Sequence, residues 1–157
     1  MFEIRQADLA DMEVLADLRV AFLQEVAQAA GQRDLPDPSV ARAAIYQYLL
    51  AHMPKGDFLG WVAEAEGRIV GTSGLAYFRK PPTFKNLTGL DAYVMSMYTL
   101  PAWRGRGVAR TLLQCAIAHA RASGAKRVWL HATANGRPLY EKVGFVGTDD
   151  EMELYLP

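Results

Sequence analysis

Two glycines and two arginines stand together at a point where a predicted strand gives way to a predicted helix. The segment from Met97 to Ala109 reads Met-Tyr-Thr-Leu-Pro-Ala-Trp-Arg-Gly-Arg-Gly-Val-Ala, and Arg110 follows it. Such a turn points several backbone N–H groups at one spot, where the helix N-terminus adds about half a positive charge. Glycine lets the backbone approach a ligand without a Cβ clash. The chemistry that this pattern predicts is pyrophosphate binding.

Two other kinds of phosphate loop do not fit this segment. A Walker loop needs a Gly-Lys-Ser/Thr run, which the chain lacks. The dinucleotide fingerprint needs a third glycine, but Gly105-x-Gly107 is followed by Arg110 at that place. The segment instead fits the pattern R-x-x-G-x-A, through Arg104, Gly107 and Ala109.

A second segment, from Asn135 to Phe145, reads Asn-Gly-Arg-Pro-Leu-Tyr-Glu-Lys-Val-Gly-Phe. It is similar to an Asn followed by L-Y-x-K-x-G-F, the second signature of the GCN5-related N-acetyltransferase (GNAT) superfamily, and the R-x-x-G-x-A turn resembles the acyl-CoA pyrophosphate loop of the same superfamily. The resemblance covers nearly the whole chain. It implies an acyl-CoA N-acyltransferase-like fold and an enzyme that transfers an acetyl group from acetyl-CoA to a primary amine of a small molecule or peptide.

The resemblance also implies roles for individual residues. The backbone of Met97 and Thr99 would bind the pantetheine arm as an added strand, and Asn135 would bind the same arm. The whole set implied to contact acetyl-CoA is Met97, Tyr98, Thr99, Arg104, Gly105, Arg106, Gly107, Val108, Ala109, Asn135 and Tyr140. Tyr140 is in addition the implied catalytic residue, because its phenol can give a proton to the departing CoA thiolate. Direct transfer in a ternary complex is expected, since nothing suggests a lowered thiol pKa at Cys115, which is expected to be a small core residue.

The group that takes the proton from the amine is left open by the sequence. A primary alkylamine has a pKa of about 10 in water, so a base or a water chain must accept a proton. Four side chains are candidates: Glu25, Asp91, Ser96 and His131. Each also has an ordinary structural interpretation, as a solvated helix charge, a turn residue, a strand hydroxyl and an edge histidine.

The elements that must position these residues follow from hydrophobic periodicity. The predicted order is β-α-α-β-β-β-α-β-α-β-β, an α/β (α+β) fold in which helices flank a mixed sheet of about six to seven strands. The unit from Ala92 to Ala132 is expected to be a right-handed parallel crossover. The predicted strands are Phe2–Gln6, Phe58–Glu64, Arg68–Phe78, Ala92–Leu100, Lys126–Ala132, Phe145–Thr148 and Glu151–Leu156. The predicted helices run from Asp8 to about Ala30, from Ser39 to before Pro54, from Gly107 to Ala122 and from Arg137 to Val143.

Length and composition narrow the class of protein. The chain has 157 residues, which predicts one domain over 1–157, and its 17 Lys+Arg balance 17 Asp+Glu. This balance predicts no nucleic-acid partner. One cysteine and three separated histidines predict no metal site. The absence of a signal pattern and of a long apolar run predicts a soluble, cytoplasmic protein without a membrane partner.

The acceptor is not predicted beyond an amine. The resemblance implies that the connections 31–38 and 80–90 border its cleft. Phe22, Tyr46, Tyr77, Phe84 and Tyr93 are candidates for an aromatic lining, although the helical spacing of Phe22 and Tyr46 favours core packing for these two. The alternative to an enzyme is a non-catalytic acyl-CoA-binding sensor or protein-interaction module, and a scaffold without cofactor binding is a weaker third. The C-terminal strands could also pair across a two-fold axis, giving a homodimer.

Overall fold

A computed structural model describes all 157 residues and contains five strands and four α-helices. None of the helices is long and apolar enough to cross a membrane. In chain order the elements are β1 (Glu3–Gln6), α1 (Met12–Ala29), α2 (Pro38–His52), β2 (Phe58–Ala65), β3 (Arg68–Arg79), β4 (Leu90–Thr99), α3 (Val108–Ala122), β5 (Arg127–Trp129) and α4 (Arg137–Val143).

The five strands form one sheet in the order β1-β2-β3-β4-β5. The first four pair antiparallel, whereas β5 pairs parallel to β4 after the crossover through α3. This confirms the mixed sheet and the parallel crossover predicted from the sequence. The pairing of β4 with β5 covers only three residues on each strand and ends at Tyr93 and Trp129.

Helices cover both faces of the sheet. On one face α3 packs through Val108, Leu112 and Ala116 against β2, β3 and β4. On the other face α1 and α2 pack through Leu15 and Leu49. Because both faces are covered, β2 is buried along nearly its whole length. The sheet is therefore a buried layer between the helices.

Gly71 on β3 sets how closely α3 approaches the sheet. A Cβ at this position would lie 2.9 Å from Cγ1 of Val108 and 3.2 Å from the carbonyl oxygen of Tyr98. Val108 is the first residue of α3, so any larger residue at Gly71 would displace the helix N-terminus. This glycine therefore holds the predicted phosphate-binding turn in place.

The predicted strands Phe145–Thr148 and Glu151–Leu156 are absent, so the expected six to seven strands are five. The alternation that predicts them is present in the sequence, but a strand also needs a partner edge. The free edge of β5 is only three residues long, and the apolar side chains of Val146, Met152 and Leu154 are exposed. The predicted helix starts also shift, because Asp8 caps a 3₁₀ turn at Leu9–Asp11 and Asp37, rather than Ser39, caps α2.

Asp91 ties the start of β4 to its neighbours. Its buried carboxylate contacts Lys80 Nζ at 2.5 Å and Arg127 Nη1 at 3.1 Å, and it accepts a hydrogen bond from Asn86 Nδ2 at 2.8 Å. Burial by itself raises the pKa of Asp91, but the three donors outweigh it and hold the pKa below its usual range. The carboxylate is therefore a structural anion that fixes the β4–β5 junction.

Asp91→Asn should destabilise the fold by about 1–3 kcal/mol at neutral pH, since both cations lose a buried partner. Because the folded-state pKa is depressed, this stabilisation is present above the unfolded pKa of about 3.9 and disappears as the pH falls below it. Urea unfolding of wild type and variant at pH 7 and at pH 3 measures the difference. Asp34→Asn, in an exposed loop, is the control. A difference that stays the same at both pH values would contradict the assignment.

Candidate functional site

A gap opens between β4 and β5 beyond their last paired residues. After Tyr93 the strand β4 continues to Thr99, whereas β5 ends at Trp129, so the β5-facing edge of β4 lacks a strand partner from Val94 onward. An extended ligand can hydrogen-bond to such an edge as an added strand. Met97 and Thr99, for which the resemblance implies contact with a pantetheine arm, lie on this stretch of β4.

The predicted phosphate-binding turn lies at the end of the same strand. A 3₁₀ turn at Pro101–Trp103 leads into Gly105 and Gly107, whose φ angles are +74° and +86°. These left-handed conformations favour glycine, and no atom lies within 4 Å of where either Cβ would be. Gly107 is the N-cap of α3, and no side chain caps this N-terminus. The first-turn N–H groups, including those of Val108 and Ala109, are therefore free for an anion.

The two arginines of the turn contact protein neighbours. Arg104 donates from Nη2 to both carboxylate oxygens of Glu25, at 2.8 Å each, and from Nε to the carbonyl oxygen of Thr99 at 2.9 Å. The Arg106 guanidinium lies over the Trp103 ring, 4.8 Å from its centroid. Arg104 thus fastens the turn to α1 and β4. The groups of this turn that remain available to an anion are therefore the backbone N–H groups at the start of α3.

Glu25, one of the four base candidates, forms the ion pair with Arg104 that was described above. The Tyr98 hydroxyl donates to its carboxylate at 2.6 Å. The hydrogen bond from Tyr98, followed by those from Arg104, holds the pKa of Glu25 below its usual range, although burial opposes them. A carboxylate with a lowered pKa is a poor proton acceptor. Like Asp91, Glu25 therefore has a structural role here.

Tyr140 lies on α4 and belongs to the same core cluster as Val94 of β4. The residue is 9% exposed, packs edge-on against Phe145 and borders a cleft of about 580 Å³ that runs along β5, α4 and residues 143–148 and is also lined by Trp129 and His131. Burial, with a smaller contribution from Tyr93, raises the pKa of Tyr140. A tyrosine phenol has an ordinary pKa of about 10 and is protonated at neutral pH, as a general acid must be. Asn135, at the turn before α4, is exposed.

Ser96, the third base candidate, lies at an irregularity of β4. Thr72 pairs with Tyr98 but Gly74 pairs with Met95, so Ser96 and Met97 together face the single residue Ser73. Ser96 adopts φ +54°, which is uncommon for a residue other than glycine. A β-bulge of this kind leaves one residue without a ladder partner and re-aims side chains.

A second cavity, of about 390 Å³, lies between the bulge and the two N-terminal helices. Eight of its eleven lining residues are hydrophobic. None of the aromatic residues that the sequence suggests for the acceptor cleft is among these eleven lining residues. Phe84 is fully exposed, because the loop that carries it does not fold over the cavity. The lining residues are Leu15, Arg19, Ala44, Ile45, Tyr48, Leu49, Phe58, Thr72, Phe78, Met95 and Ser96.

His131, the fourth base candidate, is the centre of a hydrogen-bonded chain. The Tyr93 hydroxyl is 2.7 Å from Nδ1 of His131, and Nε2 is 2.8 Å from Oε1 of Glu151. A carboxylate only accepts, so Nε2 carries the proton and Nδ1 accepts from Tyr93. Glu153 lies nearby, and the three exposed side chains have ligand atoms within 4.8 Å of one another. No local pattern indicates this contact, because periodicity alone places Glu151 in a strand.

Two proteins named as N-acetyltransferases are similar to the chain in sequence. An uncharacterised N-acetyltransferase of Escherichia coli is 39% identical over 95 residues, 57% of this chain and 52% of that protein, so the match spans about half of the relative's length. Glucosamine 6-phosphate N-acetyltransferase of Trypanosoma brucei brucei is 27% identical over 115 residues, 73% of this chain and 69% of that protein.

Solved structures extend the similarity to the whole chain. A predicted acetyltransferase with acetyl-CoA from Clostridium acetobutylicum is 30% identical, with a TM-score of 0.88 over 99% of this chain and 96% of that chain. A GCN5-related N-acetyltransferase from Ralstonia eutropha JMP134 is 27% identical, with a TM-score of 0.88 over 99% of each chain. The model of the acetyltransferase (GNAT) family matches residues 20–145. The chain is a member of the GNAT acetyltransferase family.

Proposed function

We propose that the chain transfers the acetyl group of acetyl-CoA directly to a primary amine of a small molecule or peptide in a ternary complex. The observation that carries the proposal is the continuity of the free β4 edge with the uncapped N-terminus of α3. One surface thus offers an unpaired strand edge followed by an anion site. A pantetheine arm that ends in a pyrophosphate has the same order of groups.

The residues at this surface fit acetyl-CoA. The open space at Gly105 and Gly107 leaves room for the diphosphate beside the first-turn N–H groups of α3. Met97 and Thr99 offer backbone groups to the arm, and Asn135 has an exposed side-chain amide. The exposed guanidinium of Arg110 adds positive charge. When bound, acetyl-CoA supplies an activated acyl group as a thioester.

Two features of the chain would assist the transfer. The bulge at Ser96 leaves a peptide group of β4 without a ladder partner, and this group can polarise the thioester carbonyl. Tyr140, whose phenol is protonated at neutral pH, can protonate the sulfur as the carbon–sulfur bond breaks. The amine nitrogen forms the new bond to the carbonyl carbon and loses one proton.

We assign the acceptance of that proton to a hydrogen-bonded relay formed by Tyr93, His131 and Glu151. Tyr93 packs edge-on against Phe78, a wall of the second cavity, and its hydroxyl leads to Nδ1 of His131. The Tyr93 oxygen takes the amine proton as its own proton passes to Nδ1. The imidazolium that results is stabilised by Glu151 at Nε2. Glu25 and Asp91, which are held as ionised structural groups, are not needed for this step.

His131→Gln should lower kcat at neutral pH by about tenfold or more, since base catalysis contributes about 10²–10⁴. The deficit should shrink as the pH approaches about 10, where the amine loses its own proton. A pH–rate profile at saturating acetyl-CoA measures this, with His52→Gln, at the end of α2, as control. A deficit that is equal at every pH would contradict the relay.

The proposed transfer is tested with wild-type protein and a panel of primary amines, with release of free CoA thiol and acetylated product both measured. Stoichiometric product is expected for at least one class of amine. Binding of acetyl-CoA without transfer to any amine would favour the alternative, a non-catalytic acyl-CoA sensor. The intact hydrogen-bonded chain beside the gap favours the enzyme.

A further inference from the structure

Arg19 on α1 is a cation without an anionic partner in a largely apolar place. Its side chain is partly buried and lines the second cavity, and no carboxylate lies within salt-bridge distance of it. Burial lowers the pKa of Arg19, and only tyrosines oppose this. By contrast, Arg5, Arg42, Arg104 and Arg127 each have a carboxylate partner. A guanidinium in such a place gains strongly from an anion supplied by a ligand.

The polar groups near Arg19 are concentrated at the bulge. Nη1 of Arg19 lies 3.4 Å from Oγ of Ser96, the residue with positive φ on β4. Thr72, on the neighbouring strand, borders the same cavity, and its buried hydroxyl has no hydrogen-bond partner. The guanidinium and the Ser96 hydroxyl therefore lie together in a cavity whose lining is otherwise largely hydrophobic.

We propose that the acceptor is an α-amino acid with an apolar or aromatic side chain, whose carboxylate is bound by Arg19. This proposal rests on the acetyl transfer proposed above. The position of Arg19 at the bulge limits the distance between the two ends of the substrate. If the amine reaches the acyl group at the bulge while the carboxylate reaches the guanidinium, the two must be separated by very few bonds, as in an α-amino acid.

The rest of the cavity matches a hydrocarbon side chain. Tyr48, Phe58 and Phe78 give it aromatic walls, and its volume of about 390 Å³ is within the range of small-molecule sites, roughly 300–1,000 Å³. A phosphorylated amino sugar fits it poorly, because its hydroxyls would meet hydrophobic walls and find few partners. The cavity therefore favours a substrate different from the one for which the Trypanosoma relative is named.

The test compares L-phenylalanine with phenethylamine, which lacks only the carboxylate. Wild-type kcat/KM should favour phenylalanine by about 10- to 100-fold, the usual effect of one charge-assisted pair. Arg19→Leu should abolish this preference, because it lowers kcat/KM for phenylalanine far more than kcat/KM for phenethylamine, and Arg19→Lys should retain part of it. Arg121→Leu, an exposed arginine at the far end of α3, is the matched control. Equal rates with both amines in wild type, or a preference that survives in Arg19→Leu, would overturn the proposal.

A binding measurement separates this proposal from failure of acetyl transfer itself. If neither amine is acetylated, 3-phenylpropionate and its neutral amide are titrated into wild type and Arg19→Leu, with binding followed by backbone amide NMR shifts. Carboxylate-selective shifts around Ser96 that disappear in Arg19→Leu support the pocket although the transfer has failed. The absence of carboxylate selectivity overturns the pocket, and so does selectivity that Arg19→Leu retains.

Discussion

Gly107→Glu should reduce the affinity for acetyl-CoA by at least about 100-fold. The substitution places a carboxylate at the N-cap of α3, where the free N–H groups and the helix dipole are proposed to hold a pyrophosphate. It also forces a side chain into φ +86°. Calorimetric titration with acetyl-CoA measures the loss, and a melting curve checks that the variant is folded.

The chain contains a matched control for this variant. Gly124 follows the C-terminal end of the same helix, with φ +82° and no atom within 4 Å of the place that a Cβ would take. Gly124→Glu therefore brings the same backbone strain and the same charge, but far from the proposed anion site. We expect it to bind acetyl-CoA like wild type. Similar losses in both variants would contradict an anion site at Gly107.

Tyr140→Phe should lower kcat by about 10²–10⁴, the range for one general acid, and change the affinity for acetyl-CoA little. The variant keeps the ring and its packing against Phe145, so the fold should be retained. Only the phenolic hydroxyl is removed. Steady-state kinetics with an amine substrate, together with a separate binding titration, resolve the two quantities.

Tyr155→Phe removes an exposed hydroxyl from the C-terminal segment and serves as the control. It should leave kcat unchanged. An unchanged kcat in Tyr140→Phe would remove the acid role from Tyr140. A parallel loss of acetyl-CoA affinity in Tyr140→Phe would show instead that the hydroxyl contributes to binding.

The fold is predictable wherever one short-range pattern decides the structure. The apolar stripe of α3, the glycine-rich turn before it and the strand that precedes it all follow from periodicity and from the conformations that glycine allows. The C-terminal strands are not predictable in the same way. Residues 145–157 alternate apolar and polar side chains, but whether they pair depends on the length of the edge that β5 offers.

The candidate site shows the same division. Tyr140 and the turn are visible in the sequence because each belongs to a local motif. The ion pair between Glu25 and Arg104 joins residues that are 79 positions apart, and the contact between Arg19 and Ser96 spans 77 positions. No local spacing encodes such contacts. The sequence therefore presents Glu25 as a base candidate and indicates no role for Arg19, whose significance depends on what surrounds it in the folded chain.

Calorimetric titration of the wild-type protein with acetyl-CoA and with S-acetylpantetheine tests the central claim most directly. The second ligand keeps the thioester and the arm but lacks the pyrophosphate and nucleotide. The account predicts micromolar binding of acetyl-CoA and an affinity for acetylpantetheine that is lower by at least about 100-fold, since the N-terminus of α3 contributes through charge-assisted hydrogen bonds. A folded protein that binds no acetyl-CoA, or that binds both ligands equally well, would contradict it.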